Sequence, residues 1–294
     1  MTLPFTGERF TPECVREIWY EHMHRYAFAQ RFVRGRRVLD AACGEGYGSQ
    51  LLAQAGAQVL GVDISTEAIE HARSRYGAVA GLRFDCVDVT ALDSLPDASF
   101  DVIVSFETLE HVQAQEAMLD DFARLLTPAG LLLISSPDKR TYSDLPGYRN
   151  EHHVRELYRD ELESLLRARF PGLQLYTQKL LFQSVLWDPD RPPTSAAAST
   201  LREGGIEQTL DYEGLYYLAV CARSEAQLPI AAGEVHLFGD HAESVYSHYN
   251  DEVRRHIAAG HRLIAQEAEI ERLRAQLAAA HHLIDELQSQ GRNS

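Results

Sequence analysis

The chain has 294 residues, 45% of them hydrophobic, enough for a full-sized core in one large domain with something added. Acidic residues outnumber basic ones 43 to 28, a formal charge of −15, which argues against general nucleic-acid and anionic-membrane binding. Cys14, Cys43, Cys86 and Cys221 form no CxxC pair, the first residues lack a signal-peptide pattern, and no stretch is apolar enough to span a bilayer, so a reduced, cytoplasmic protein without membrane insertion is expected.

Residues 1–35 read as an N-terminal cap region containing a helix, with Trp19, Met23 and Tyr26 at near-helical spacing. From residue 36 short apolar runs alternate with helical patterns. Strands are expected at Arg37–Asp40, Gln58–Asp63, Leu82–Asp88, Phe100–Phe106 and Gly130–Ser135. Helices are expected at Gly48–Ala55, at Ser65–Tyr76 with Ser65 as N-cap, at Glu116–Leu126 and at Asp160–Phe170. The segments Leu173–Trp187 and Leu215–Ala222 have only a loop between them, Asp188–Glu213, which is marked by Pro189, Pro192, Pro193, Gly204 and Gly205. Two strands joined without a helix are antiparallel. The expected fold is therefore α/β: a doubly wound, mostly parallel seven-stranded sheet ending in an antiparallel hairpin, over residues 36–223. Residues 224–241 read as a linker with one short strand at Glu234–Phe238. Residues 242–290 read as a helical or coiled-coil tail: Ile270, Leu273, Leu277, Ala280, Ile284 and Leu287 alternate spacings of three and four, a seam suited to a homo-oligomer or to one long helix packed back on its own domain.

The turn Asp40-Ala-Ala-Cys-Gly-Glu-Gly-Tyr-Gly48 follows the first core strand and opens a helix, a place where backbone N–H groups approach a ligand. Asp40, Asp63 and Asp88 each end one of three successive strands, which core packing does not explain. Asp40 is placed for an amino group, Asp63 for ribose hydroxyls and Asp88 for an adenine amino group.

These residues resemble the class I methyltransferases that use S-adenosylmethionine (SAM), over roughly Arg36 to Arg223. Val38 to Gly48 looks like the family's first motif, with Ala42 where glycine is commonest, and Phe100–Ser105 and Leu126–Ile134 match its later strands. The resemblance implies SAM contacts at Asp40, Ala42, Gly44, Gly46, Asp63, Ile64, Asp88, Val89 and Phe106. The segments Thr6–Pro12 and Tyr20–Tyr26 are similar to those preceding this motif in bacterial methyltransferases acting on surface sugars and glycans, which adds Tyr20 and Arg25 to the cofactor set.

Phe106-Glu-Thr-Leu-Glu-His-Val112 follows the fourth strand, and on a helical turn Glu107, Glu110 and His111 share a face. Two carboxylates and an imidazole so crowded call for a cation or leave charge uncompensated. Asn150-Glu-His-His-Val-Arg-Glu156 brings His152 and His153 over the same crevice. The Glu-x-x-Glu-His pattern resembles the magnesium site of small-RNA 2′-O-methyltransferases and is similar to ubiquinone-pathway O-methyltransferases. That implies Mg2+ or Mn2+ on Glu107, Glu110, His111 and His153, lowering the pKa of an acceptor hydroxyl. Without an ion, His153 or His111 is the general base.

The leading expectation is O-methylation of a sugar hydroxyl, on a glycan or a nucleotide-linked sugar. The alternatives are a small-metabolite O-methyltransferase acting on a quinone precursor or natural product, and a SAM-binding scaffold without catalysis. RNA ribose is disfavoured by the charge.

Overall fold

The computed structural model describes residues 17–191, 195–229 and 233–291, side chains of residues 283 and 285–291 excepted. The Thr6–Pro12 segment and Cys14 lie outside them. The chain divides into two compact units, Met1–Gly239 and Asp240–Ser294.

The first unit begins with α1 (Glu17–Ala29) and continues β1 (Arg37–Ala41), α2 (Tyr47–Gln54), β2 (Gln58–Asp63), α3 (Thr66–Tyr76), β3 (Leu82–Cys86), β4 (Phe100–Ser105), α4 (Gln115–Leu125), β5 (Leu126–Pro137), α5 (Arg159–Arg167) and β6 (Gly172–Gln178). A small hairpin, β7 (Thr200–Arg202) and β8 (Gly205–Glu207), precedes β9 (Tyr216–Ala222). The seven-stranded sheet has the order β3-β2-β1-β4-β5-β9-β6. All pairs are parallel except those of β9, which runs antiparallel to β5 and β6.

The strands are apolar on both faces because helices cover both. In β4, Val102 and Val104 join one core with α1, α2 and α3, while Ile103 joins the other with α4 and α5. The same period of two separates Leu131 and Leu133 from Leu132 and Ile134 in β5. Strand order reverses between β1 and β4, and a crevice opens beyond the carboxyl ends of the strands at such a point.

Several expectations change. The third strand ends at Cys86, so Asp88 stands just beyond it in a turn. The stretch after β6 leaves the sheet at Gln178 rather than reaching Trp187, because Lys179 onwards has no further partner strand. The insert expected as plain loop contains the β7–β8 hairpin. Glu234–Phe238 forms no strand; it is an extended strap held on α1 by side chains. Arg31 donates to Glu234 at 2.6 Å, His24 and His236 are 2.8 Å apart, and Phe238 packs on Trp19 and Tyr20.

The second unit is α6 (Ser244–Gly291), a 48-residue helix. Asp240 caps its start, accepting from Ser244 Oγ at 2.6 Å and from the Ser244 N–H at 3.1 Å. No helix among the described residues is long and apolar enough to cross a membrane.

Candidate active site

A crevice of about 790 Å³ lies at the switch point, with the glycine turn on one wall and the segment after β4 on the other. Its lining includes Ala42, Gly44, Asp63, Ile64, Asp88, Val89 and Phe106, seven of the positions expected to touch the cofactor.

The turn is shaped by close approach. Gly46 has φ of +90°, and a Cβ there would lie 2.7 Å from the Phe84 ring. Gly48 has no room either: an added Cβ would fall 1.9 Å from Tyr26 Cζ. Ala42 takes the left-handed conformation at φ 60°, where the family's usual glycine would be relaxed. The Asp63 carboxylate ties the turn to β2, accepting from the Gly44 N–H and the Ser65 N–H at 2.9 Å each. Ser65 in turn caps α3 by accepting from the Ala68 N–H at 3.2 Å. Glu45, buried in the turn, receives the Tyr76 hydroxyl at 2.9 Å and lies 3.0 Å from His71. Asp88 accepts the Thr90 N–H at 2.8 Å and its hydroxyl at 2.7 Å, which orients the carboxylate at the crevice rim.

Asp40, Tyr20, Arg25 and Gly46, also expected to touch the cofactor, are not in that lining. Asp40 is buried under the turn, where Ser49 Oγ donates to it at 2.6 Å and the Tyr26 hydroxyl at 3.1 Å. Burial pushes its carboxyl up to about 6. It braces α1 against α2. The two faces of α1 account for Tyr20 and Arg25. Ile18, His22 and Tyr26, at steps of four, line the crevice. Tyr20 and Arg25 line a separate cavity of about 430 Å³, with Glu21, His24 and Phe28, and the Arg25 guanidinium reaches from there to Glu107 and the Tyr216 ring behind the crevice wall. Burial there pushes the Glu21 carboxyl up to about 7. Gly46 supports the turn from behind and is not in the crevice lining.

Beyond β4 the geometry separates Glu107 from its expected partners. Glu107 precedes the short 3-10 turn Leu109–His111 and has φ of 51°, so the three residues do not form one helical face. Ser135 Oγ donates to its carboxylate at 2.6 Å and accepts its N–H at 3.0 Å, with Arg25 Nη2 3.5 Å away. Glu110, His111 and His153 do converge: one ligand atom from each lies within 4.8 Å of the others. Glu107 is outside that set.

The three converging groups are held from behind. His111 Nδ1 meets the His152 carbonyl at 3.0 Å, which makes Nδ1 the donor and leaves Nε2 as the acceptor, 3.8 Å from Glu110 Oε1. His153 Nδ1 donates to Glu156 Oε1 at 2.5 Å, and its Nε2 accepts from Asn150 Nδ2 at 3.0 Å. A carboxylate behind an imidazole is the usual support of a metal-binding histidine. Glu110 is 1% exposed, and its Oε2 is buried with no hydrogen-bond partner. Burial, with the Glu107 charge added, raises its carboxyl well above the ordinary range. An orphaned buried carboxylate oxygen beside the His111 Nε2 fits a divalent cation, with His153 Nε2 as a further ligand once it gives up its hydrogen bond from Asn150. The imidazole that joins Glu110 and His111 is His153, since His152 contributes its carbonyl to His111 and its half-buried ring lies towards Glu151.

The sequence reading missed the aromatic wall. Tyr142 stacks on His153 with ring centres 5.4 Å apart and touches Tyr148 and Tyr216, and all three line the crevice. Tyr142 and Tyr148 sit in the segment after β5, and Tyr216 opens β9. The only available signal was their placement after the carboxyl ends of strands. Glu156 was in the quoted motif but was given no role.

Comparison with known proteins agrees with this geometry. A methyltransferase domain family matches residues 39–134. The chain is 40% identical over 169 residues to the "Probable S-adenosylmethionine-dependent methyltransferase Rv3030" of Mycobacterium tuberculosis, covering 56% of this chain and 60% of that protein. It is 35% identical over 122 residues to a ubiquinone biosynthesis O-methyltransferase of Idiomarina loihiensis, covering 41% of this chain and 50% of that one. These matches span less than two thirds of the relatives' own length. Among solved structures, a SAM-dependent methyltransferase from Archaeoglobus fulgidus superimposes with a TM-score of 0.51 at 19% identity, covering 70% of this chain and 94% of that one, a likeness of fold. The sheet order and the glycine turn are those of the methyltransferase fold, and over residues 39–134 the chain is similar in sequence to the SAM-dependent methyltransferases.

Proposed function

We propose that the protein is an O-methyltransferase that moves the SAM methyl to one of two neighbouring hydroxyls of a sugar, with a divalent cation held by Glu110, His111 and His153. The observation that carries this reading is the convergence of those three groups inside the crevice that also contains Gly44, Asp63 and Asp88. SAM supplies an electrophilic methyl, and Mg2+ or Mn2+, when bound, lowers the pKa of a hydroxyl it contacts. The protein's own groups do the rest. Asp63 and Asp88 accept from cofactor hydroxyl and amino groups at the rim. Tyr142, Tyr148 and Tyr216 present ring faces on which the C–H face of a pyranose packs, and they exclude water. In the transfer the acceptor hydroxyl would lose its proton to solvent and its oxygen would bond to the methyl carbon as the carbon–sulfur bond breaks, leaving S-adenosylhomocysteine.

A second reading rests on Glu156. Its hydrogen bond to His153 Nδ1 fixes the ring and its tautomer, so that His153 Nε2, on release from Asn150, serves as general base for the departing hydroxyl proton with no ion present. The rings also suit a flat catechol-type acceptor, the chemistry of the ubiquinone-pathway relative. An acceptor screen decides: tritiated SAM with nucleotide sugars, oligosaccharides and catechols, with Mg2+ or with EDTA. Label entering sugars only with Mg2+ supports the lead reading. EDTA-resistant turnover supports the His153 base, and catechol-only labelling overturns the sugar acceptor.

A further inference from the structure

The second unit is one helix whose apolar seam is uncovered. Leu263, Ile270, Leu273, Leu277 and Ile284 are 60%, 47%, 51%, 58% and 49% exposed, which is unusual for aliphatic residues repeated along one face. With Leu263, Ile270, Leu277 and Ile284 as the a positions of a heptad, Gln266, Leu273 and Ala280 take d. The flanking positions are then charged in a complementary order: Arg262 and Glu269 at g, Glu267 and Arg274 at e.

We propose that α6 pairs with α6 of a second copy of this chain as a parallel, in-register, two-stranded coiled coil. In a parallel pair each g residue faces the e residue five positions further along the other helix. Arg262 then meets Glu267 of the second copy and Glu269 meets its Arg274, and symmetry doubles both pairs. An antiparallel pair brings together only Glu267 and Arg274. The d-position Gln266 adds to the choice. In parallel register it faces its own copy and both amides are satisfied, whereas antiparallel packing sets it against leucine with its amide unpaired. Ala280, small at d, lets the backbones approach closely and leaves a third strand poorly packed.

The test uses the full chain. Light scattering at micromolar concentration is expected to give twice the 33.0 kDa chain mass, and the double variant Ile270→Asp/Leu277→Asp a single-chain mass. Circular dichroism shows that the helix of the double variant persists. Leu277→Cys is expected to form an inter-chain disulfide under mild oxidation, which the unsubstituted chain, with its own cysteines, does not. A single-chain or three-chain mass for the unsubstituted protein overturns the proposal. So does a dimer that survives both aspartates, or a Leu277→Cys variant that does not cross-link.

Discussion

Replacing Asp40 by asparagine perturbs a carboxylate that is 1% exposed and receives two hydroxyl hydrogen bonds. Burial holds its carboxyl at about 6 instead of the ordinary 3.8. At about 1.4 kcal/mol per pH unit, keeping it ionised above pH 6 costs about 3 kcal/mol of native stability. The sign is the reverse of the usual paired aspartate. Between pH 3.8 and 6 the native state keeps a proton that the unfolded chain has lost, so stability falls as pH rises through that window. Asparagine removes the ionisation cost but keeps a single oxygen for Ser49 and Tyr26, which takes back about 1 kcal/mol. Asp40→Asn is therefore expected to be about 2 kcal/mol more stable than the parent near pH 7.5 and slightly less stable near pH 4. Urea unfolding of the ligand-free protein, followed by fluorescence and circular dichroism at both pH values, reads this directly. A variant that is less stable at pH 7.5, or that keeps the parent's slope between pH 4 and 6, refutes the reasoning.

Gly48→Ala drives a methyl into the Tyr26 ring, and the overpacking is expected to cost about 1–3 kcal/mol, a fall of several degrees in Tm by scanning calorimetry. An unchanged Tm would show that the ring yields freely. Glu110→Gln removes the carboxyl member of the converging set. Mn2+ affinity, followed by electron paramagnetic resonance, is expected to fall by about tenfold or more while SAM affinity stays within about twofold. Equal Mn2+ binding in both proteins contradicts the cation site. Glu156→Gln leaves the Glu110 ligand intact but weakens the hold on His153 Nδ1. It is expected to lower kcat with KM for SAM little changed, and an unaltered kcat would remove Glu156 from the positioning machinery.

The fold was legible because its signals are local and repeated. The runs at Val38, Val59 and Ile103 carry the buried-strand composition of a sheet covered on both faces, and Ser65 announces a helix start that its hydroxyl indeed caps. Asp63 and Gly44 were legible for the same reason, since a strand, a turn and a helix fix them within a few residues. What failed depends on contacts distant in sequence. Helical periodicity puts Tyr20, Arg25 and Tyr26 on one helix, α1, but not on one face. Which of its faces meets the crevice is decided by Gln178, which accepts Arg25 Nε at 2.8 Å, and by the strap at Glu234 to Phe238. Glu107 had the right spacing to Glu110 and His111 for a helix, but the chain takes a left-handed turn there, and Ser135 on β5 claims the carboxylate. Tyr142, Tyr148 and Tyr216 come from two segments that meet only when β9 inserts between β5 and β6. No spacing within either segment encodes that meeting.

The central claim is that this crevice is a SAM site organised by Asp63, and calorimetric titration tests it most directly. SAM and S-adenosylhomocysteine are each expected to bind the unsubstituted chain one to one. Asp63→Ala, which removes two charge-assisted hydrogen bonds within the turn as well as a cofactor contact, is expected to weaken both ligands by at least about tenfold. Absence of binding to the unsubstituted chain, or equal affinity in Asp63→Ala, contradicts the account.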